Sequence, residues 1–290
     1  MSNIELQKFY NSAGFFILND LPISTQFSID GHTSITGPRF KGLKLLPPGF
    51  HLITYISEPR KKTQESLSQD HISQQIKHGL IRFFKPKEII IRRYDENEER
   101  IQSIQDETIS SIEYMKSLDS NLAPYPIERY SIWKSLTCFI TIELVEEVFG
   151  IDERGDSILD SLMSNEEENL KPYPSHPRDL SASYPRHQHQ LFSHQSSTHR
   201  PEDLSNQKFT NWPKINLKRS WPKDSIGEEL SKWSQDKSYL FHQFILHQCQ
   251  KDLNKFLGHI QLSYLTFLQV HSFQSLETYQ TLLNLLTKSS

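Results

Sequence analysis

The sequence predicts an α+β protein with three parts. These are a β-rich, sandwich-like N-terminal domain with flanking helices over residues 1–150, a disordered linker over 151–206, and the start of an α-helical C-terminal domain over 207–290. Three observations predict it. From residue 9 to 94, short apolar and β-branched runs alternate with turn residues, the pattern of successive strands. From 226 onward, apolar residues recur at threes and fours, the period of helices that bury one face. Between the two lies a tract rich in Pro, His, Ser and Glu with too few apolar residues to offset the entropy of ordering it. A chain of 290 residues has room for about two domains. Its mean hydropathy of −0.58 says that part of that length carries no core.

In order along the chain, the predicted strands are 15–18, 27–29, 50–56, 80–84 and 88–94. Leu21-Pro22 turns between the first two, and Lys85-Pro86-Lys87 joins the last two, since proline is excluded from a central strand. The polar stretch 58–71 reads as a loop. Ile101, Ile104, Ile109, Ile112, Met115 and Leu118 then predict an amphipathic helix with an acidic outer face. After Pro124-Tyr125-Pro126, a helix is expected over 128–149. Trp133, Leu136, Ile140, Leu144 and Val148 set its rhythm, Phe139 is expected to share its buried face, and Gly150 stops it. Helical pattern returns over 226–249 and 253–286, where Leu276, Tyr279, Leu282, Leu283 and Leu286 give the last helix its apolar face.

The most informative stretch is 35–56, ITGPRFKGLKLLPPGFHLITYI. Pro fixes φ and lacks a donor while Gly opens positive φ, so Gly37-Pro38 and Pro47-Pro48-Gly49 must be turns bracketing Phe40 and Gly42 through Leu46. The run after Gly49 reads as a half-buried strand. This order of residues resembles the cistron-splicing factor family, assembly factors of the spliceosomal U5 small nuclear ribonucleoprotein. Pro124-Tyr125-Pro126 followed by Trp133 and Leu136-Thr137 is similar to a second signature of that family. Residues 14–19, 27–30, 236–240 and 258–286 resemble further segments. The resemblance covers most of 10–150 and 208–290.

What the resemblance implies is a non-enzymatic assembly factor, cytoplasmic and nuclear. It would bind the large U5 scaffold protein through that protein's RNase H-like and Jab/MPN-like domains and hold it in a precursor state before the particle's helicase joins. The chain departs from the family at His259, where an acidic residue is usual, and at Val270-His271, where Gly-Asn is usual. The family's helical domain continues beyond the position matched by Leu286, so the C-terminal domain is expected to be incomplete.

Chemistry-bearing patterns are sparse. No Gly-rich phosphate loop, Gly-x-Ser-x-Gly elbow or His-Glu-x-x-His occurs, so no catalytic or cofactor-binding residue is assigned and no cofactor is expected. His176, His187, His189, His194 and His199 crowd the linker without cysteines or an ordered frame, which argues against a metal site. Cys138 and Cys249 match no zinc or redox spacing and read as buried thiols. Residues 15–18 are too short for a signal-peptide core, and nowhere do ~18 apolar residues run uninterrupted, so no membrane partner is expected.

A net charge of −3 gives direct RNA binding no bulk support. Two basic features suit partners nonetheless. Arg92 and Arg93 end the last predicted strand, and Lys208, Lys214, Lys218, Arg219 and Lys223 form a stretch without an acidic residue. Trp212 and Trp221 are its aromatic anchors. The alternative reading is an RNA-binding protein that uses this basic 208–223 stretch.

Overall fold

The computed structural model describes residues 3–56, 76–103, 117–163 and 209–289. Two five-stranded sheets form the N-terminal half. The first has the order β8-β7-β1-β4-β9 and the second β10-β6-β5-β2-β3. The strands are β1 Gly14–Asn19, β2 Gln26–Ile29, β3 His32–Ile35, β4 Gly42–Leu46, β5 Gly49–Ile56, β6 Lys77–Phe84, β7 Ile89–Asp95, β8 Arg100–Ser103, β9 Ala123–Pro124 and β10 Asp156–Asp160. β1 pairs with β7, and β4 with β9, in parallel; the other pairs are antiparallel. The helices are α1 Asn3–Ser12, α2 Tyr130–Leu136, α3 Ile142–Phe149, α4 Glu228–Gln235, α5 Ser238–His247, α6 Leu253–Val270 and α7 Phe273–Thr287.

Strand alternation explains the layers. Phe16 and Leu18 of β1, Ile90 and Tyr94 of β7, and Ile53 and Tyr55 of β5 point between the sheets with Phe27, Ile29, Leu80 and Phe84. The opposite face of β5 and β6, carrying Phe50, Leu52 and Ile81, is covered by Trp133, Leu144, Val148, Leu262, Leu265 and Val270 from α2, α3 and α6. β5 is therefore buried on both faces along nearly its whole length, not half-buried as its partial alternation predicts. Its continuous apolar character reports two buried faces. Gly79 lets α6 approach this sheet, since a Cβ there would lie 2.9 Å from both Val270 and Leu159 side chains.

Several expected boundaries change. Ile101 belongs to β8, where its N–H donates to the Tyr55 hydroxyl at 2.9 Å, and not to a helix. The single helix expected over 128–149 is a 3-10 turn (Ile127–Arg129), then α2, then α3. Thr141 splits it, because its Oγ1 accepts from Leu144 N and starts a new helix. Trp133 is buried as expected, but Leu136 is exposed and Phe139 only half-buried. Asp156–Asp160, expected within the linker, pairs with β6 as an edge strand. Over 253–286, His271 takes a left-handed conformation at φ 65°, which ends α6 and separates the last helix from the one that begins at Leu253. In α7 the fully buried line is Ser275, Leu282 and Leu285, offset from the predicted stripe. The expected loop at 58–71, the helical rhythm at Ile104, Ile109, Ile112 and Met115, the linker from 164 to 206, and Lys208 lie outside the described residues.

Candidate partner-binding surface

The glycines, prolines and aromatic residues of the turn motif sit in turns and packing contacts. At Gly42, with φ at 122°, a Cβ would run into the Phe16 carbonyl oxygen, so only glycine lets β4 lie against β1. Gly37 closes a turn by accepting from Phe40 N, and the Phe40 ring packs 5.1 Å from Phe27. Pro47 offers its carbonyl to His51 Nε2 at 2.8 Å, and Pro48 leads to Gly49, whose φ of 130° starts β5. Pro124 pairs with Lys44 in β9, and Pro126 precedes the 3-10 turn. Tyr125 donates to Asp30 Oδ2 at 2.6 Å, and Trp133 Nε1 donates to the Phe50 carbonyl at 2.8 Å while its ring stacks on Phe50. Burial first, and then the Asp30 carboxylate, push the Tyr125 hydroxyl pKa up, which keeps it a donor.

Asp30 is the hub that the sequence reading missed. Its Oδ1 accepts from Leu52 N at 3.0 Å, and its Oδ2 faces both Tyr125 and His51 Nδ1. All three side chains are buried. The only signal for it was Asp30-Gly31, a dipeptide suited to a two-residue hairpin turn. Asp30, His51 and Tyr125 resemble a catalytic grouping in type, yet His51 Nε2 is occupied by the Pro47 carbonyl and its Nδ1 faces Asp30. Their chemistry is to hold the 47–49 turn and the 124–126 segment to the β2–β3 hairpin.

The partner candidates separate into buried and exposed. Arg92 is buried: its Nε donates to Asp156 Oδ2 at 2.6 Å, and Arg82 Nη1 takes Asp156 Oδ1 at 2.5 Å while its Nη2 meets Glu88. That network clamps β7 of the first sheet to β6 and β10 of the second, which removes Arg92 from the surface. Arg93 is exposed and pairs with Asp20 at 3.1 Å. Trp212 is also core. Its ring meets Phe149 edge-on at 5.3 Å, and Asn211 N donates to the Val148 carbonyl at 2.7 Å. Farther on, Ile215 and Leu217 pack on the helical core of Phe244, Phe256 and Leu282, so this strip fastens α3 to the C-terminal helices. Trp221 is half-buried, and Lys214, Lys218, Arg219 and Lys223 are exposed.

The two halves also meet at a cleft of about 680 Å³ between the N-termini of α3 and α6. Lys255 pairs with Glu147 across it at 2.6 Å. Cys138 lies on its wall, exposed and not buried as its apolar neighbours predict, with its Sγ facing the Ser135 carbonyl and Gln261 Nε2. Beneath, at Gly258, a Cβ would strike the Phe139 carbonyl. His259 next to it is fully buried, and burial pushes its pKa down to about 4. Cys249 is buried, and burial pushes its thiol up to about 11. Among the described residues no group of three or more His, Cys, Asp or Glu side chains could hold a metal, and no helix is long and apolar enough to cross a membrane.

Comparison with known proteins accounts for this architecture. A family model described as the AAR2 N-terminal domain matches residues 12–150, and one described as the AAR2 C-terminal repeat region matches 212–290. Among relatives carrying the name Protein AAR2 homolog, that of Caenorhabditis elegans is 31% identical over 145 residues, 49% of this chain and 36% of the relative. The human relative is 25% identical over 290 residues, covering 97% of this chain and 70% of its own length. That of Mus musculus is 24% identical over 287 residues, covering 98% and 71%. Matched in both its β-rich and its helical halves, the chain belongs to the AAR2 family, the U5 small nuclear ribonucleoprotein assembly factor family that its turn motif resembles.

Proposed function

We propose that the chain is a non-enzymatic assembly factor of the spliceosomal U5 particle, supporting pre-mRNA splicing. It binds the large U5 scaffold protein through that protein's RNase H-like and Jab/MPN-like domains and holds it in a precursor state until the helicase joins, acting in cytoplasm and nucleus. The observation that carries this reading is the family match over both 12–150 and 212–290. The motif geometry supports it, because Gly42, Tyr125 and Trp133 serve turns and interlayer ties instead of reacting groups. Such a protein acts by occupancy: binding one state of the scaffold more tightly than another shifts the population toward that state.

The exposure of Lys218, Arg219 and Lys223 favours one other reading, contact with RNA phosphate. Titration of the purified chain with the scaffold's two domains separates the readings. Saturable binding with shallow salt dependence, reversed by the helicase, is expected. No scaffold binding, together with RNA binding that falls steeply with salt as counterions are released, would overturn the assembly reading.

A further inference from the structure

We infer that the free edge of β3 is a docking site for an extended segment of a partner protein, which adds a sixth strand to the second sheet. β3 lies at the end of the order β10-β6-β5-β2-β3, and all four of its residues are exposed. The hairpin turn fixes which of its backbone groups are open. Asp30 and Gly31 have φ of 50° and 77°, positive at both positions as a type I′ turn requires. In a two-residue hairpin the flanking pair, here Ile29 and His32, exchanges both hydrogen bonds, and bonded pairs then alternate.

His32 and Ser34 therefore bond to β2, while the N–H and C=O of Thr33 and Ile35 point away from it. Two other bonds confirm the phase. Thr36 N donates to Thr25 O on the β2 side, and Asp30 N donates to Leu52 O, which turns the even-numbered residues of β2 toward β5 and leaves Phe27 and Ile29 for β3. Among the described residues nothing bonds to the outward groups of Thr33 and Ile35.

The occupant follows from this edge. Two donors and two acceptors at alternate residues match the main chain of a β-strand and no compact ligand. The surface at the hairpin end adds apolar contact. Arg129 Nη1 approaches the Gly31 carbonyl at 3.5 Å, and one turn farther along α2 Ile132 is 61% exposed. A Cβ on Gly31 would lie 2.9 Å from Gln269, whose neighbour Leu268 is 46% exposed. At the other end of the edge Ile35 is 66% exposed. The segment is thus an extended one bearing apolar residues.

This inference rests on the proposed function for its partner, the U5 scaffold protein. Thr33→Pro and Ile35→Pro each remove an outward donor and place a ring in the docking path, at positions where the β2–β3 ladder loses nothing. Thr33→Val keeps the donor. With the full chain and the purified scaffold protein, each proline variant is expected to bind about tenfold or more weakly, and Thr33→Val within about twofold of wild type. Hydrogen exchange on the unmodified chain gives a readout that does not depend on a variant folding. The Thr33 and Ile35 amides should exchange fast alone and slowly in the complex, while His32 and Ser34 are slow in both. Proline variants that bind like wild type, or Thr33 and Ile35 amides that stay fast in a formed complex, overturn the edge as docking site. A wild-type chain that binds no scaffold overturns the functional reading instead, and with it the partner named here.

Discussion

Tyr125 donates its hydroxyl to Asp30 Oδ2 at 2.6 Å, joining the segment before α2 to the turn of the β2–β3 hairpin across 95 residues of chain. His51 Nδ1 lies 2.6 Å from the same oxygen, so one buried carboxylate orders three segments. Tyr125→Phe removes one of the donors to the buried Asp30 carboxylate. A loss of about 1–3 kcal/mol in urea unfolding is expected. A variant as stable as wild type would mean that this bond contributes little to the fold.

Trp133 carries both a ring and a donor into the core. Trp133→Ala is expected to cost ~3–5 kcal/mol, because it empties space beside Phe50 and orphans the Phe50 carbonyl. Leu136→Ala, at a position predicted for the same buried rhythm but found exposed, should shift the melting midpoint by little. Equal losses at the two positions would contradict the placement of α2.

The motif glycines are not equivalent. Gly42→Ala meets both positive φ and the Phe16 backbone and should destabilise by at least ~1 kcal/mol, whereas Gly37→Ala meets nothing within 4 Å and should be nearly neutral. Thermal unfolding of the two variants side by side decides this.

The fold class was legible because β5 and β6 are strongly apolar and the turn residues around them leave few alternatives. What was not legible depended on tertiary partners. β4, bracketed by two turns, is absent from the predicted strands and becomes legible only when Gly42 is seen against Phe16, and β10 is polar enough to pass for linker because its Asp156 is neutralised by two arginines distant in sequence. The same long-range pairing hid the fates of the candidate contact residues. Arg92 and Trp212 look like surface anchors in sequence, since Arg and Trp are enriched at interface hot spots. Only the positions of Asp156 and Phe149 show that they are core.

Acid should weaken the fold through His259. Its unfolded ring takes a proton near pH 6.5, but the folded ring does so only near 4, so the unfolded state binds more protons between those values. Stability is unaffected above about 6.5 and falls as pH drops, by about 2 kcal/mol at pH 5. Burial also lowers the pKa of His78 and His271, which adds in the same direction. His259→Leu should flatten the difference between urea unfolding at pH 7 and pH 5. An undiminished difference would place the acid sensitivity elsewhere.

Affinity purification of the endogenous protein, with its co-purifying proteins identified by mass spectrometry, tests the central claim most directly. The account predicts recovery of the large U5 scaffold protein without the particle's helicase. Recovery of helicase and scaffold together in stoichiometric amounts, or of neither, would contradict it.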